Sequence, residues 1–184
     1  MKPFLFLFIA AATVLAQQPA PEKHDAMDPN SCPMHAEHMK AKSADDQRFA
    51  DMETRGNRPM GFDQSKTTHH FRTLEGGGAI EVTVNDPADS TDLAAIRNHL
   101  ARIAKQFAAG DFSAPMMTHA EMPPGAGEMQ KLKDKIAYTY EELPAGARVR
   151  ITTGDAKALQ AVHQFLDYQI KEHRTGDAAA VHQH

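Results

Sequence analysis

Apolar side chains at Leu93, Ile96, Leu100, Ile103 and Phe107 fall on one face of an amphipathic helix, and the chain writes that pattern twice. Leu93–Asp111, LAAIRNHLARIAKQFAAGD, aligns without a gap with Leu159–Asp177, LQAVHQFLDYQIKEHRTGD. Leu93 meets Leu159, Ile96 meets Val162, Leu100 meets Leu166, and the copies close on Gly110-Asp111 and Gly176-Asp177. A glycine there supplies the left-handed residue that ends a helix at little cost. Strand-like runs precede each helix: His69–Leu74 and Ala79–Val84 in the first copy, Ile136–Glu141 and Arg148–Ile151 in the second, each pair joined across a Gly/Pro turn. The pattern predicts a duplicated strand–strand–helix unit. Its fold class is α+β, a two-layer sandwich in which a four-stranded antiparallel sheet carries two helices on one face.

Strand residues alternate between faces, so the repeat also predicts what points where. Shifted by 67 residues, Val82 and Val84 match Val149 and Ile151, and Phe71 matches Tyr138. These face the helices, as does His69, which matches Ile136. The outer face then carries His70, Arg72, Glu81, Thr83, Thr139, Arg148 and Arg150, a composition suited to water, a ligand or a second subunit. His99 and His163 fall at the borders of the helical stripes and read as half-buried boundary residues. His173 ends the last helix turn and reads as a cap on its dipole.

The rest of the chain lacks this periodicity. Residues 1–16 of MKPFLFLFIAAATVLAQQ combine one lysine, a short apolar run and small residues before Gln17, the pattern of a secretory signal peptide. The run is too short to span a bilayer, so the expectation is export to a periplasm or beyond, with no stable membrane insertion after cleavage. Residues 17–58 read as a flexible Met/His/Cys-containing segment. It holds one possible charged helix, Glu37–Thr54, ended by Gly56-Asn57-Arg58-Pro59. The α+β domain is expected over residues 59–177 and a loose tail over 178–184. Between the repeats, Phe112–Lys135 holds Pro115, Pro123 and Pro124 and reads mostly as loop, with a short helix near Glu128–Lys135.

Charge narrows the function classes. The 20 basic and 24 acidic residues give a formal net charge of −4, and loss of the leader's single lysine makes it −5. No basic stripe with interleaved aromatics suggests nucleic acid. The lone Cys32 excludes an internal disulfide framework. No catalytic motif is present: G-x-S-x-G, H-E-x-x-H, a dinucleotide fingerprint and a phosphate loop are all missing, and Gly76-Gly77-Gly78 sits in a hairpin turn.

What stands out is sulfur and imidazole, in 10 methionines and 11 histidines. One cluster holds Met27, Cys32, Met34, His35, His38 and Met39. A second, in the loop between repeats, holds Met116, Met117, His119, Met122 and Met129, with Met60, Asp63, His69 and His70 as candidate partners near the start of the first strand. Thiolate, thioether and imidazole together suit copper as Cu(I), with zinc the second choice. Cys32-Pro33-Met34-His35 resembles the core of the short heavy-metal-binding domain at the front of some copper and silver efflux proteins. Here Ala36 stands where that family has proline, and no second cysteine-rich half follows, so the resemblance covers four residues. It implies metal binding by Cys32, Met34 and His35. Residues 60–177, beginning MGFDQSKTTHHF, are similar to a group of secreted bacterial proteins with no established activity. The leading expectation is an exported protein that binds, sequesters or delivers copper. The alternative is a small-molecule binding domain or small enzyme in which His70, Arg72, Arg148 and Arg150 on the open sheet face grip an anion. A homodimer through that face is a third possibility.

Overall fold

The computed structural model describes residues 33–179. The chain divides into two compact units, residues 1–39 and residues 40–184. Of the first unit only the opening turns of a helix are described, with Met34 and Met39 exposed. The expected leader, the segment up to Cys32 and the end of the tail lie outside the described residues. Among those that are described, no helix is long and apolar enough to cross a membrane.

The second unit is the predicted α+β sandwich. Helix α1 (Pro33–Met60) enters it from the first unit and leads to β1 (Thr67–Leu74), β2 (Gly77–Val84) and α2 (Ser90–Ala109). Two short helices follow, α3 (Ser113–His119) and α4 (Ala126–Lys131), then β3 (Ile136–Leu143), β4 (Gly146–Thr153) and α5 (Ala156–Glu172). The sheet order is β1-β2-β4-β3, antiparallel throughout. The second strand of each repeat is therefore central, with Ile80 opposite Val149 and Val82 opposite Ala147. Helix α2 packs mainly over β3 and β4, and α5 mainly over β1 and β2. Each repeat's helix thus covers much of the other repeat's strands, and neither repeat buries its own apolar stripe alone. Asp89 and Asp155 cap the two helices, accepting from the backbone N–H of Asp92 and of Lys157 and Ala158.

The predicted faces hold: Val82, Val84, Val149 and Ile151 are buried with Phe71 in one core beneath the helices. The register is corrected by two residues, because β1 and β2 match β3 and β4 at a spacing of 69, not 67. Both spacings are odd, so no residue changes face. The second helix is also shorter than its sequence twin. It ends at Glu172; Arg174 takes the left-handed turn that follows (φ 51°), and Gly176 is left-handed two residues later (φ 74°). That early stop sends Asp177 back to the edge of β1, where its carboxylate accepts from the Phe71 backbone N–H at 3.0 Å and blunts an open strand edge.

Helix α1 is the larger correction. It runs through Gly56 to Met60, and the compact unit begins at Lys40, not at residue 59. Gly56 is not a stop. A Cβ there would lie 2.6 Å from Gln64 Nε2, so the missing side chain makes room for a buried carboxamide. That amide donates to the Glu53 carbonyl at 2.7 Å. Arg55 donates to the Thr118 carbonyl at 3.1 Å, and Arg102 reaches back to the Pro59 carbonyl at 2.7 Å. Met52 is the buried apolar anchor, at 3% exposure. Because α1 docks largely by hydrogen bonds, it carries little hydrophobic periodicity. The inter-repeat segment is likewise more ordered than expected: α3 tolerates Pro115 because a proline in the first turn has no intrahelical N–H to lose.

Candidate functional site

Four histidines from four elements meet at one end of the core. His69 comes from the inward face of β1, His99 from α2, His119 from the last position of α3 and His173 from the C-cap of α5. The His69 and His173 rings stack at 5.5 Å with an 18° tilt, and His119 stands edge-on to His173 at 5.2 Å. Phe62 lies 5.9 Å from His69 and 5.6 Å from His99. The rings border a cavity of about 60 Å³ whose other walls include Phe71, Ile80, Leu100, Phe107 and Phe165, with Pro59 and Met60 closing it. No Asp, Glu, Lys or Arg is among its described lining residues.

Burial sets the protonation of these rings. Desolvation penalises the imidazolium form and pushes His69 down to about 4, helped by neighbouring His70. It pushes His99 down to about 3, helped by Arg102. His119 and His173 are lowered for the same reason, His173 also by His69 and His119. All four are neutral at pH 7. His99 is occupied: the Arg102 guanidinium donates to its Nδ1 at 3.0 Å, which leaves the ring proton on Nε2. His119 is not. Its Nε2 donates to Gln169 Oε1 at 3.0 Å, which leaves a bare lone pair on Nδ1. That Nδ1 and the Gln169 Nε2 are buried without a hydrogen-bond partner.

The sequence-predicted residues distribute differently. His119 turns inward, while Met116, Met117 and Met122 are 40–54% exposed, so the loop shows its thioethers to water and its imidazole to the interior. Cys32 and the side chains of His35 and His38 lie outside the described residues. On the outer face, Glu141 clamps both arginines, with Arg148 at 2.7 Å and Arg150 at 3.0 Å, and Arg148 has Glu81 at 3.8 Å. His70 pairs with Asp177 at 2.9 Å. Three of the four groups proposed to hold an anion thus already have carboxylate partners; Arg72 has none among the described residues.

Neutral imidazole is the form a metal requires, and His119 has the arrangement of a metal-ligating histidine, one nitrogen fixed by an oxygen and the other free. The cluster as a whole does not converge. Two of its rings stack, and among the described residues no three His, Cys, Asp or Glu side chains are grouped to hold an ion.

Two of the four rings, and the amide beside them, escaped the sequence reading. His173 read as a charged cap; it does cap α5, yet it is half-buried and desolvation keeps its imidazole neutral, while His99 read as a boundary residue, yet it is only 8% exposed. Gln169 drew no attention, although a polar residue one turn after Phe165, on the apolar stripe of α5, was the available signal. No known protein family, curated protein or solved structure matches the chain.

Proposed function

We propose that this protein binds a small organic molecule in the histidine-ringed cavity, without catalysing its conversion. The observation that carries the reading is that two residues lining a mainly apolar space, Gln169 and His119, each keep a buried polar atom without a partner, Nε2 and Nδ1. Each buried polar atom left unpaired costs about 1–3 kcal/mol, which an occupant offering matching groups would remove. A water needs roughly 10–15 Å³ of such space, so about 60 Å³ accepts an occupant equivalent to some four water-sized groups. Large cofactors do not fit. This keeps the small-molecule alternative but moves it from the open sheet face to the interior. The test is a ligand-observed NMR screen of molecules with few heavy atoms against wild type and Ala114→Met, which fills the cavity from α3. Binding to wild type that the folded variant lacks supports the site; equal binding to both removes it.

A second reading has its own observation. Met34, Met39, Met116, Met117 and Met122 are the exposed large apolar side chains among the described residues, and all are methionine. Surface thioethers, with Cys32 and His35 of the Cys-Pro-Met-His segment, suit Cu(I) collection outside the cytoplasm, with zinc as the weaker guest. Competition with a calibrated Cu(I) chelator tests it. Wild type that binds no more tightly than a variant lacking Cys32, Met34, His35, Met116 and Met117 would end it.

A further inference from the structure

We propose that helix α1 is a hinged gate over the histidine-ringed cavity, swinging about Gly61 to admit and release the occupant while the sandwich stays folded. The inference rests on the cavity reading above and adds how that cavity is entered.

The attachment of α1 differs in kind from that of the other long helices. Helices α2 and α5 bury apolar stripes against the sheet, whereas α1 lies closely along none of the other elements. Met52 is the large apolar side chain that it buries. What holds it otherwise are polar contacts reaching it from several directions. Arg174, just after α5, pairs with Asp46 at 2.6 Å and lies over the Phe49 ring at 4.6 Å, and Arg48 has Glu172 at 3.6 Å. Gln64 donates to Asn57 Oδ1 at 3.3 Å as well as to the Glu53 carbonyl. Arg55 ties the helix to α3, and Arg102 ties its end to α2. Most of these groups are exposed or half-buried, so water replaces their partners on release. Between the latches, clefts of about 170, 190 and 80 Å³ lie beside α1, against the end of α5, the start of β1 and His119. Close-packed interiors leave few voids larger than a water. Helix α1 is thus laid over the sandwich, not packed into it.

The chain provides a pivot at the end of the helix. Gly61 has φ 84°, and a Cβ there would meet no atom within 4 Å, so neither side chain nor neighbour restrains its turn. The next residue, Phe62, is 4% exposed and packs on the rings of His69 and His99. Asp63 then caps the short turn into β1, accepting from the Ser65 backbone N–H at 3.0 Å. The chain is fixed from Phe62 onward and can pivot one residue earlier.

The pivoting helix stands where entry requires it. Pro59 and Met60 wall the cavity. Asp51, Met52 and Arg55 wall the cleft bordered by His119, which lines the cavity as well. Helix α3, the other wall outside the duplicated units, is anchored by buried Phe112, Ala114 and Thr118, with Phe112 stacked on Phe107 at 4.4 Å. Lifting α3 would expose core; lifting α1 uncovers Met52 and parts of Phe49 and Met60. Local openings that uncover so little apolar surface occur well below the free energy of global unfolding.

Native-state hydrogen exchange of the full-length protein at pH 7 reads the gate, and carbethoxylation of His119 by diethyl pyrocarbonate reads what it uncovers. Neither needs the occupant. Amides of residues 44–60 should exchange together, about a hundredfold or more faster than those of β2 and β4. Gln64→Ala removes two bonds made only in the closed state and should speed α1 exchange and His119 modification by the same factor, about tenfold. Asp46→Asn, an exposed change that folding tolerates, should speed both about two- to threefold. Val149→Ala weakens the sheet in the open and closed states alike, so it should speed β4 exchange and leave both α1 readouts unchanged. Wild-type α1 amides as protected as those of the sheet would overturn the gate. So would His119 modification that follows Val149→Ala instead of the latch variants. Either result leaves the cavity reading standing, since that reading fails only in the ligand screen against Ala114→Met.

Discussion

Met52→Ala is the sharpest test of how helix α1 belongs to the fold. Met52 is 3% exposed in a helix whose neighbouring residues are mostly charged and open to water. On an undocked charged helix the substitution would be neutral or stabilising by a few tenths of a kcal/mol, since alanine is the better helix former. In a docked helix it removes a buried thioether and leaves a cavity, a change that costs about 2–5 kcal/mol in protein cores. Helix α1 lies at the margin of the core and can partly settle into the space, so about 2–3 kcal/mol is expected. For a domain of this size that lowers Tm by roughly 4–12 °C. The control is Met39→Ala; Met39 is 50% exposed, and its loss should stay within about 0.5 kcal/mol. Urea melts followed by far-UV circular dichroism read both. A Met52→Ala protein that melts with wild type would refute docking of α1 through this residue. An early transition of small amplitude in the variant would show α1 detaching while the sandwich stays folded.

Acid should destabilise the protein earlier than its carboxylates alone would allow. An unfolded chain protonates its histidines near 6.5, whereas folded His69 waits until about 4 and His99 until about 3. Below pH 6.5 the unfolded state therefore binds more protons, so the stability present above 6.5 is lost as pH falls through that window. Asp63, Asp111, Glu141 and Asp177 are all lowered from ordinary values of 3.8 or 4.5, so their contribution is lost only below that range. Tm should be flat from pH 8 to 7 and already falling between 6.5 and 5; a flat profile down to pH 5 contradicts burial of neutral imidazoles. Gly125→Ala should cost more than about 2 kcal/mol, because φ is 80° there and the new Cβ would lie 2.1 Å from the Ala161 carbonyl oxygen; an unchanged urea midpoint would show that the loop does not press on α5. Glu141→Gln should cost under about 1 kcal/mol, as its ion pairs with Arg148 and Arg150 are partly solvated. The same variant should gain affinity for sulfate on the open face, and failure to do so would show that Glu141 is not what blocks that face.

The sandwich was legible because its information is repetitive. Two helical stripes and two pairs of alternating strands carry the same signal, and a parity argument survives a slip of two residues, which is why Val82, Val84, Val149 and Ile151 were placed correctly even though the repeat spacing was 69 and not 67. Helix α1 was illegible for the opposite reason. Its attachment rests on one methionine, a glycine that admits Gln64 and hydrogen bonds to the backbone carbonyls of Glu53, Thr118 and Pro59. None of these has a period. Gly56 and Pro59 looked like breakers because their local meaning is to end helices; here close approach by Gln64 outweighs the propensity cost of the glycine, and Pro59 sits one residue before the helix ends, where it forgoes a single intrahelical bond and little helix follows it to be kinked.

The site was half legible, and the division follows the source of each residue. His69 was placed inward by the strand alternation, and His119 was singled out by its company in the loop. Of the methionines that drew attention to His119, Met116, Met117 and Met122 are exposed and Met129 is buried in the core, so a cluster in sequence separated in space. His99, Gln169 and His173 join it from elements far apart in the chain, and nothing in a single helical stripe says that a polar residue on it borders a shared cavity. Their assembly depends on the crossed packing of the two repeats: α5, from the second repeat, covers β1 of the first. Had each helix covered only its own strands, His173 could not stack on His69. The duplicated fold therefore creates the site at its seam, where the second repeat's helix end meets the first repeat's edge strand. Helix α1, which has no counterpart in the duplication, closes the cavity there with Pro59 and Met60.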